Sequence, residues 1–345
     1  MSASPRILLL SARDPLGRPD TSVDDVTADL FVALSEQPGL DVVQAEVGTA
    51  AEVERAVRQF RPDAVFNFCE ALAGESRLEP VVPLVLERMG VAFTGSPSSA
   101  LRTCLDKFET NEALRRGGVP VPMTVRVTRS GADLDVRFPV IVKPEREDGS
   151  VGIDESSVVN DHAALHARID ALLATVGPVV VQEYVEGREV ACALLGFPEP
   201  RVLPLGEIAF DDALREADMP NILTYASKWD PESVAYEATR SVTAAVEPVL
   251  ASRLAGVARR AFDLLGLRDY GRVDLRISAA GQPFVIDVNP NCDVSRDGGF
   301  MRAARREGLG YGEAVATILR CALARASSGM RPSYLPPKPT PEALP

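Results

Sequence analysis

The stretch VIDVNPNCDVS, residues 285–295, starts as an apolar strand and then carries Asp287, Asn289, Asn291 and Asp293 at every second position. Side chains two apart in a strand share a face, so Asp287 and Asn289 lie together, opposite Ile286 and Val288. Upstream, RVDLRI (272–277) alternates in the same way, with Arg272, Asp274 and Arg276 on one side and Val273, Leu275 and Ile277 on the other. Between the two runs stands SAAGQ, short and containing glycine, which signals a β-hairpin. Strict alternation puts Val285 on the polar face with Asp287 and Asn289. Pairing the polar faces gathers Asp274, Asp287 and Asn289, hard oxygen ligands without imidazole or thiolate. Such a set suits magnesium shared between protein carboxylates and substrate phosphates, with manganese as the alternative. A solvent-facing strand edge is the commoner setting for any single acid. Three such ligands beside an arginine on an apolar hairpin favour the metal.

Working outward, VIVKPEREDGSVGI (140–153) reads as a strand that delivers Lys143 into a loop with Gly149, Ser150 and Gly152. Backbone N–H groups in such a loop can approach phosphate oxygens closely. Neither G-x-x-x-x-G-K-[ST] nor G-x-G-x-x-G occurs, so a P-loop or a Rossmann dinucleotide site is not indicated. Before this region, strand and helix patterns alternate from RILLLSA to EPVVPLVLERMG, which argues for βαβ units and a parallel sheet. A helix is expected from Leu101 to the glycines at 117 and 118, then a small α+β unit, then a third unit ending in the hairpin and a final helix. The expected division is 1–97, 98–185 and 186–327, with a proline-rich tail over 328–345.

Of the 345 residues, 46% are hydrophobic and 25% charged, ordinary for a globular protein with several cores. A net charge of -12 argues against nucleic acid or an anionic membrane as partner. The five cysteines are widely spaced with no C-x-x-C pair, which fits reduced thiols rather than disulfides or zinc. Cys292 sits inside the site motif, but with no histidine nearby in sequence to activate it, it reads as a buried filler. Residues 1–12 have too short an apolar run for a signal peptide or membrane span, so the expected location is cytoplasmic. The only histidines, His162 and His166, share one helix face with no third ligand, so histidine general-base chemistry is not expected.

Taken together, GVAFTGS, LDKFETNEAL, VIVKPEREDGSVGI, VVQEYVEGREV, YGRVDLRI and IDVNPN, in that order over roughly residues 60–325, resemble the ATP-grasp superfamily in its D-alanine–D-alanine ligase-like branch. The resemblance implies a three-domain α/β fold in which a parallel-sheet domain precedes two α+β domains that grip ATP. It implies that Lys107 and Lys143 reach the ATP phosphates under the loop around Ser150. Gln182, Glu183 and the backbone of Val185 would meet adenine, and Glu189 the ribose. Asp274, Asp287 and Asn289 would hold magnesium, Lys228 would contact the γ-phosphate, and Arg272 the tetrahedral intermediate. The implied activity is an ADP-forming ligation of a small carboxylate to an amine through an acyl phosphate, and analogy suggests a homodimer. The chain departs from the family where substrates are held. SARDPLGRPD lacks the family's glutamate after the first strand, PNCDVSRDGGF replaces the Pro-Gly-x-Thr continuation, and Trp229 follows the lid lysine where tyrosine is common. Glu70, Glu75, Ser76 and Arg77 offer alternative substrate contacts, and equally suit a solvated loop. A substrate other than D-alanine is expected; the alternatives are a true D-alanine–D-alanine ligase, a phosphotransferase and a non-catalytic ATP-binding module.

Overall fold

The computed structural model describes residues 4–13 and 23–328. Residues 14–22 of the segment after the first strand, and the tail from 329, lie outside the described residues. In chain order the first unit is β1 (Arg6–Ala12), α1 (Val23–Ser35), β2 (Asp41–Val47), α2 (Ala50–Phe60), β3 (Ala64–Phe68), α3 (Val81–Met89) and β4 (Ala92–Phe93). Its strands are all parallel, in the order β2-β1-β3-β4. The fully buried runs of β1 and β3 fit a sheet covered by helices on both faces.

The second unit comprises α4 (Ser98–Leu105), α5 (Lys107–Arg116), β5 (Thr124–Val127), β6 (Val140–Pro144), β7 (Val158–Val159), α6 (His162–Thr175) and β8 (Val179–Glu183). Its sheet is antiparallel, ordered β5-β8-β6-β7. The single helix expected from Leu101 is in fact two. Asp106 takes an extended conformation and caps α5, accepting from the Glu109 N–H at 3.0 Å. The same carboxylate receives Arg126 at 2.8 Å and Arg146 at 2.9 Å, so its buried charge is fully engaged only if the helix breaks there.

The third unit runs β9 (Gly187–Gly196), β10 (Arg201–Val202), β11 (Gly206–Phe210), α7 (Asp212–Glu216), α8 (Ala226–Trp229), α9 (Val234–Glu237), β12 (Thr239–Thr243), α10 (Pro248–Leu264), β13 (Asp269–Ser278), β14 (Pro283–Asn289), α11 (Gly299–Arg306) and α12 (Tyr311–Ser327). Its sheet follows β12-β11-β9-β13-β14, with β10 pairing to β9. The long polar segment after residue 210 thus folds into three short helices and an edge strand. No helix among the described residues is long and apolar enough to cross a membrane.

Two features position the site. The first is the β13–β14 hairpin, antiparallel as expected but not in regular alternation. Asp274 faces Asp287 while Leu275 faces Val285, so Ile286 is an extra residue that forms a β-bulge. The bulge corrects the expected placement of Val285. Val285 turns into the core with Val273, Leu275, Ile277 and Val288, against Leu254, Ala258 and Phe262 of α10. Asp287 and Asn289 remain on the opposite face. A core bounded by α10 needs an apolar side chain opposite Leu275, and one inserted residue supplies it without moving Asp287.

The second feature joins the ends of the chain. Ile7, Leu9 and Phe66 of the parallel sheet share one core with Leu195, Tyr270, Phe300 and Ile318. At that seam Arg325 of α12 pairs with the buried Asp269 and donates to the Phe93 carbonyl at 2.6 Å, while Asp269 accepts the Gly95 N–H at 2.9 Å.

The bulge predicts which neighbour tolerates truncation. Val285→Ala, at 2% exposure, is expected to destabilise by about 2 kcal/mol, whereas Ile286→Ala costs less than about 1 kcal/mol. Denaturant unfolding of the two variants checks this, and the reverse order would mean that strict alternation holds.

Candidate active site

The polar face of the third sheet changes character along its length. Cross-strand pairs Tyr270–Leu195, Arg272–Ala193, Asp274–Ala191 and Arg276–Glu189 run from the core shared with the first sheet out into the cleft between the second and third units. On the other flank Arg272 faces Asn289 and Asp274 faces Asp287. The expected oxygen ligands therefore meet on one face. Arg272 makes a two-pronged contact with Asp274, Nε to Oδ1 and Nη2 to Oδ2, each at 2.8 Å. Asn289 donates its amide N–H to Asp274 at 3.2 Å, which turns its amide oxygen away as a free acceptor. Burial opposes the charge on Arg272, but Asp274 outweighs it and holds the guanidinium well above its ordinary pKa.

Of the four Asp and Asn residues in 285–295, only two face the cleft. Asn291 accepts the Tyr270 hydroxyl at 2.6 Å and donates to Glu79 at 2.7 Å and to the Cys69 carbonyl at 3.3 Å. Asp293 folds back on the Ser295 N–H and hydroxyl at 2.7 and 2.9 Å. The first ties the hairpin to the parallel-sheet unit, and the second makes a turn before α11. Glu79 itself is buried, which raises its pKa, with the Asn291 bond opposing. Cys292 is also buried, and burial pushes its thiol up, away from thiolate chemistry. Gly299 opens α11 close to Arg272, where an added Cβ would stand 3.5 Å from Nη1.

Above this face stand the lysines. Lys143 leaves β6 beside Gln182, to whose Oε1 it donates at 3.2 Å; Gln182 in turn donates to the Thr124 hydroxyl at 3.0 Å. Lys107, the first residue of α5, donates from Nζ to the Glu147 carbonyl. The cleft here is lined by Lys107, Asn111, Lys143, Gln182, Ile286 and Asp287. Burial lowers the Lys143 pKa to about 8; Lys107 and Arg276 add to that, and Asp287 and Glu189 oppose it. Lys228 is lowered in the same way, by burial and then by Arg272. Glu189 shifts upward through burial, against the pull of Arg276. Glu183 is exposed at the end of β8 and Val185 is buried just beyond it.

Two loops close over these groups. Ser150, at φ 65°, donates to the Leu223 carbonyl at 2.9 Å. Tyr225 donates its N–H to the Ile153 carbonyl at 2.9 Å, and Trp229 its indole N–H to the Gly149 carbonyl at 3.2 Å. The tryptophan that departs from the family pattern thus fastens the segment carrying Lys228 to the glycine loop. Gly152, at φ 70°, has no room for a side chain, since a Cβ would stand 2.7 Å from Pro144. Among the alternative substrate contacts, Glu75 and Arg77 pair with each other at the surface. His162 packs edge-on to Phe138, 4.9 Å between ring centroids.

The donor set fits a divalent cation. Asp274 and Asp287 lie opposite each other with the Asn289 amide oxygen free, and among the described residues no group of three His, Cys, Asp or Glu side chains forms a complete protein cage. A cation at this place would share its coordination with phosphate oxygens.

Residues 124–320 match the model of the D-ala D-ala ligase C-terminus family. The chain is 33% identical over 302 residues to the uncharacterized protein y4sG of Sinorhizobium fredii, covering 85% of this chain and 86% of that one. It is 30% identical over 300 residues to a D-alanine–D-alanine ligase of Desulforudis audaxviator, covering 85% and 91%. The crystal structure of the D-alanine–D-alanine ligase from Bacillus anthracis superposes with a TM-score of 0.76 at 20% identity, over 94% of this chain and 99% of that one. The chain belongs to the D-alanine–D-alanine ligase family of ATP-grasp proteins, and it is an ATP-dependent, ADP-forming ligase.

The depressed Lys143 pKa gives a pH signature. If Lys143 meets the ATP phosphates, they favour its ammonium form, so binding raises the pKa and takes up a proton wherever the free side chain is neutral. Affinity for magnesium-ATP is therefore expected to be flat below about pH 8 and to fall above it, approaching about tenfold per unit. Lys143→Arg, which stays charged, should flatten most of that fall. Calorimetric titration from pH 7 to 9.5 measures both, and equal slopes for the two proteins would remove Lys143 from the phosphates.

Proposed function

We propose that the protein joins a small carboxylate to an amine at the expense of magnesium-ATP, and that its substrates are an amino acid or a specialised-metabolite acid rather than two D-alanines. The observation that carries the ligase chemistry is the single sheet face bearing Arg272, Asp274, Asp287 and Asn289 beneath Lys143 and Lys228. In this reading a substrate carboxylate oxygen attacks the γ-phosphorus, the bond to the bridging oxygen breaks, and ADP leaves with its electron pair. The amine then adds to the carbonyl carbon of the acyl phosphate, the tetrahedral oxyanion expels inorganic phosphate, and the nitrogen loses a proton.

Lys107, Lys143 and Lys228 hold the phosphate oxygens, with the loop around Ser150 closed over them. Asp274, Asp287 and Asn289 hold magnesium, which neutralises phosphate charge when bound. Arg272 is fixed by Asp274 through Nε and Nη2, so its Nη1 edge serves the oxyanion together with the backbone at the start of α11. Gln182 orients Lys143 beside the adenine pocket, whose polar edge is the backbone of Glu183 and Val185, and Glu189 meets the ribose. Positioning and charge neutralisation supply the catalysis, with no histidine involved.

The departures support a different substrate. After Asn289 the chain places Asn291 and Asp293 in structural contacts, where the family has Pro-Gly-x-Thr. Incubation with magnesium-ATP and pooled amino acids of both configurations should release ADP from one pool and give a product of summed substrate mass less one water. A clean D-alanyl-D-alanine product at ordinary substrate levels would refute the substrate proposal, and a stable phosphorylated product formed without an amine would refute ligation. Asp287→Ala is expected to lower ADP release at least about 100-fold; full release would dismiss the metal reading.

A further inference from the structure

Arg276 lies on the cleft face of β13, two residues beyond Asp274 and directly across the ladder from Glu189. It is 3% exposed. Its Nη2 donates to the Asn221 and Gly187 carbonyls, and its guanidinium stacks on the Tyr184 ring 5.0 Å from the centroid. The Tyr184 hydroxyl donates to the same Asn221 carbonyl at 3.3 Å. The other two nitrogens, Nε and Nη1, are sealed from water and have no hydrogen-bond partner.

Glu189, 8% exposed, is the opposite charge at hand, yet its Oε2 stands 3.6 Å from Nε, beyond hydrogen-bond range. On the same strand Arg272 closes on Asp274 at 2.8 Å through two contacts, which is how an unhindered arginine and carboxylate meet. Arg276 is held back by Asn221 and Tyr184. A group that donates to the carboxylate while accepting from the guanidinium fits such a separated pair, and a hydroxyl does both at once. A two-residue step along a strand is about 7 Å, comparable to the span from the outer phosphates of a nucleotide to its sugar. Lys143 feels Asp287 at one end of that step and Glu189 and Arg276 at the other.

We propose that Arg276 and Glu189 together read the ribose hydroxyls of the nucleotide. Glu189 accepts from the hydroxyl hydrogens, and Nε and Nη1 of Arg276, uncovered as the Asn221 and Tyr184 contacts give way to the entering sugar, donate to the hydroxyl oxygens. The inference rests on the nucleotide-site reading above and adds to it a residue that selects ribonucleotides over deoxyribonucleotides. Through Asn221 the same guanidinium is bonded to the segment that carries Lys228, so a nucleotide entering the cleft meets the sugar reader and the covering segment together.

Calorimetric titration of the full chain with magnesium-bound ATP, 2′-deoxy-ATP and 3′-deoxy-ATP tests this without knowledge of the ligation substrates. At least one deoxynucleotide should bind about 10- to 100-fold more weakly than ATP, because its missing hydroxyl leaves both partners unpaired. Arg276→Met should narrow the ratio at least about threefold, with Glu189 keeping its own share. If that variant fails to fold, Arg276→Lys, which keeps a charge beside Glu189 but loses the fork, should narrow the ratio in the same direction. Wild-type protein binding both deoxynucleotides within about twofold of ATP would overturn the proposal, as would a folded Arg276 variant that keeps the full ratio. If no nucleotide binds the wild type at all, the nucleotide site itself is wrong and the proposal goes with it.

Discussion

One extra residue in β14 sets the geometry on which the site depends. With Ile286 bulged, Val285 and Val288 both reach the core under α10, although three residues apart they could not share a face of a regular strand. Asp287 consequently stays opposite Asp274 and Asn289 opposite Arg272. The hairpin is thus sealed on one side by hydrophobic packing and polar on the other, and the packing that makes it rigid also fixes where its carboxylates point. A site built on such a strand pair is better held than one built on loops, which matters for chemistry that runs on positioning.

Charge balance is the second constraint. Lys107, Lys143, Lys228, Arg272 and Arg276 converge on a face whose carboxylates are Asp274, Asp287 and Glu189. Burial lowers Lys143 and Lys228 while the acids hold the arginine of the Arg272–Asp274 pair charged. In a low-dielectric cleft, unneutralised cations favour a polyanion strongly. The glycine loop and the Lys228 segment, joined by Ser150, Tyr225 and Trp229, shut water away from those charges and strengthen them further.

The parallel-sheet unit is no separate appendage. Its core is completed by α11 and α12 from the end of the chain, and the Asp269–Arg325 pair bonds to the backbone of 93–95. Breaking a buried pair by removing one partner ordinarily costs about 3–5 kcal/mol, so this seam resists shear. The Asn291 bridge to Glu79 and Cys69 lies on the same side of the hairpin end, which ties the parallel sheet to the strand that carries Asp287.

The sequence by itself determined the order and type of most elements, the hairpin, the glycine loop and the placing of Asp274, Asp287 and Asn289 on one face with Lys143 at the loop, whereas Lys228 came only from the family resemblance. All but Lys228 follow from local periodicity and from residue chemistry, which need no knowledge of the rest of the chain. Tertiary structure decided what periodicity could not. A bulge forms because a distant helix demands an apolar side chain at Val285, and the helix expected from Leu101 breaks because Asp106 meets Arg126 and Arg146 across the second unit. Asn291 and Asp293 read like ligands in one dimension, but their partners are Glu79, Tyr270 and a local turn. Arg276 was visible on the polar face from its alternation with Asp274. Only the fold could show that it is buried, bonded to Asn221 rather than closed on Glu189, and left with two donors that make no hydrogen bond, because burial and pairing belong to contacts made across the whole chain.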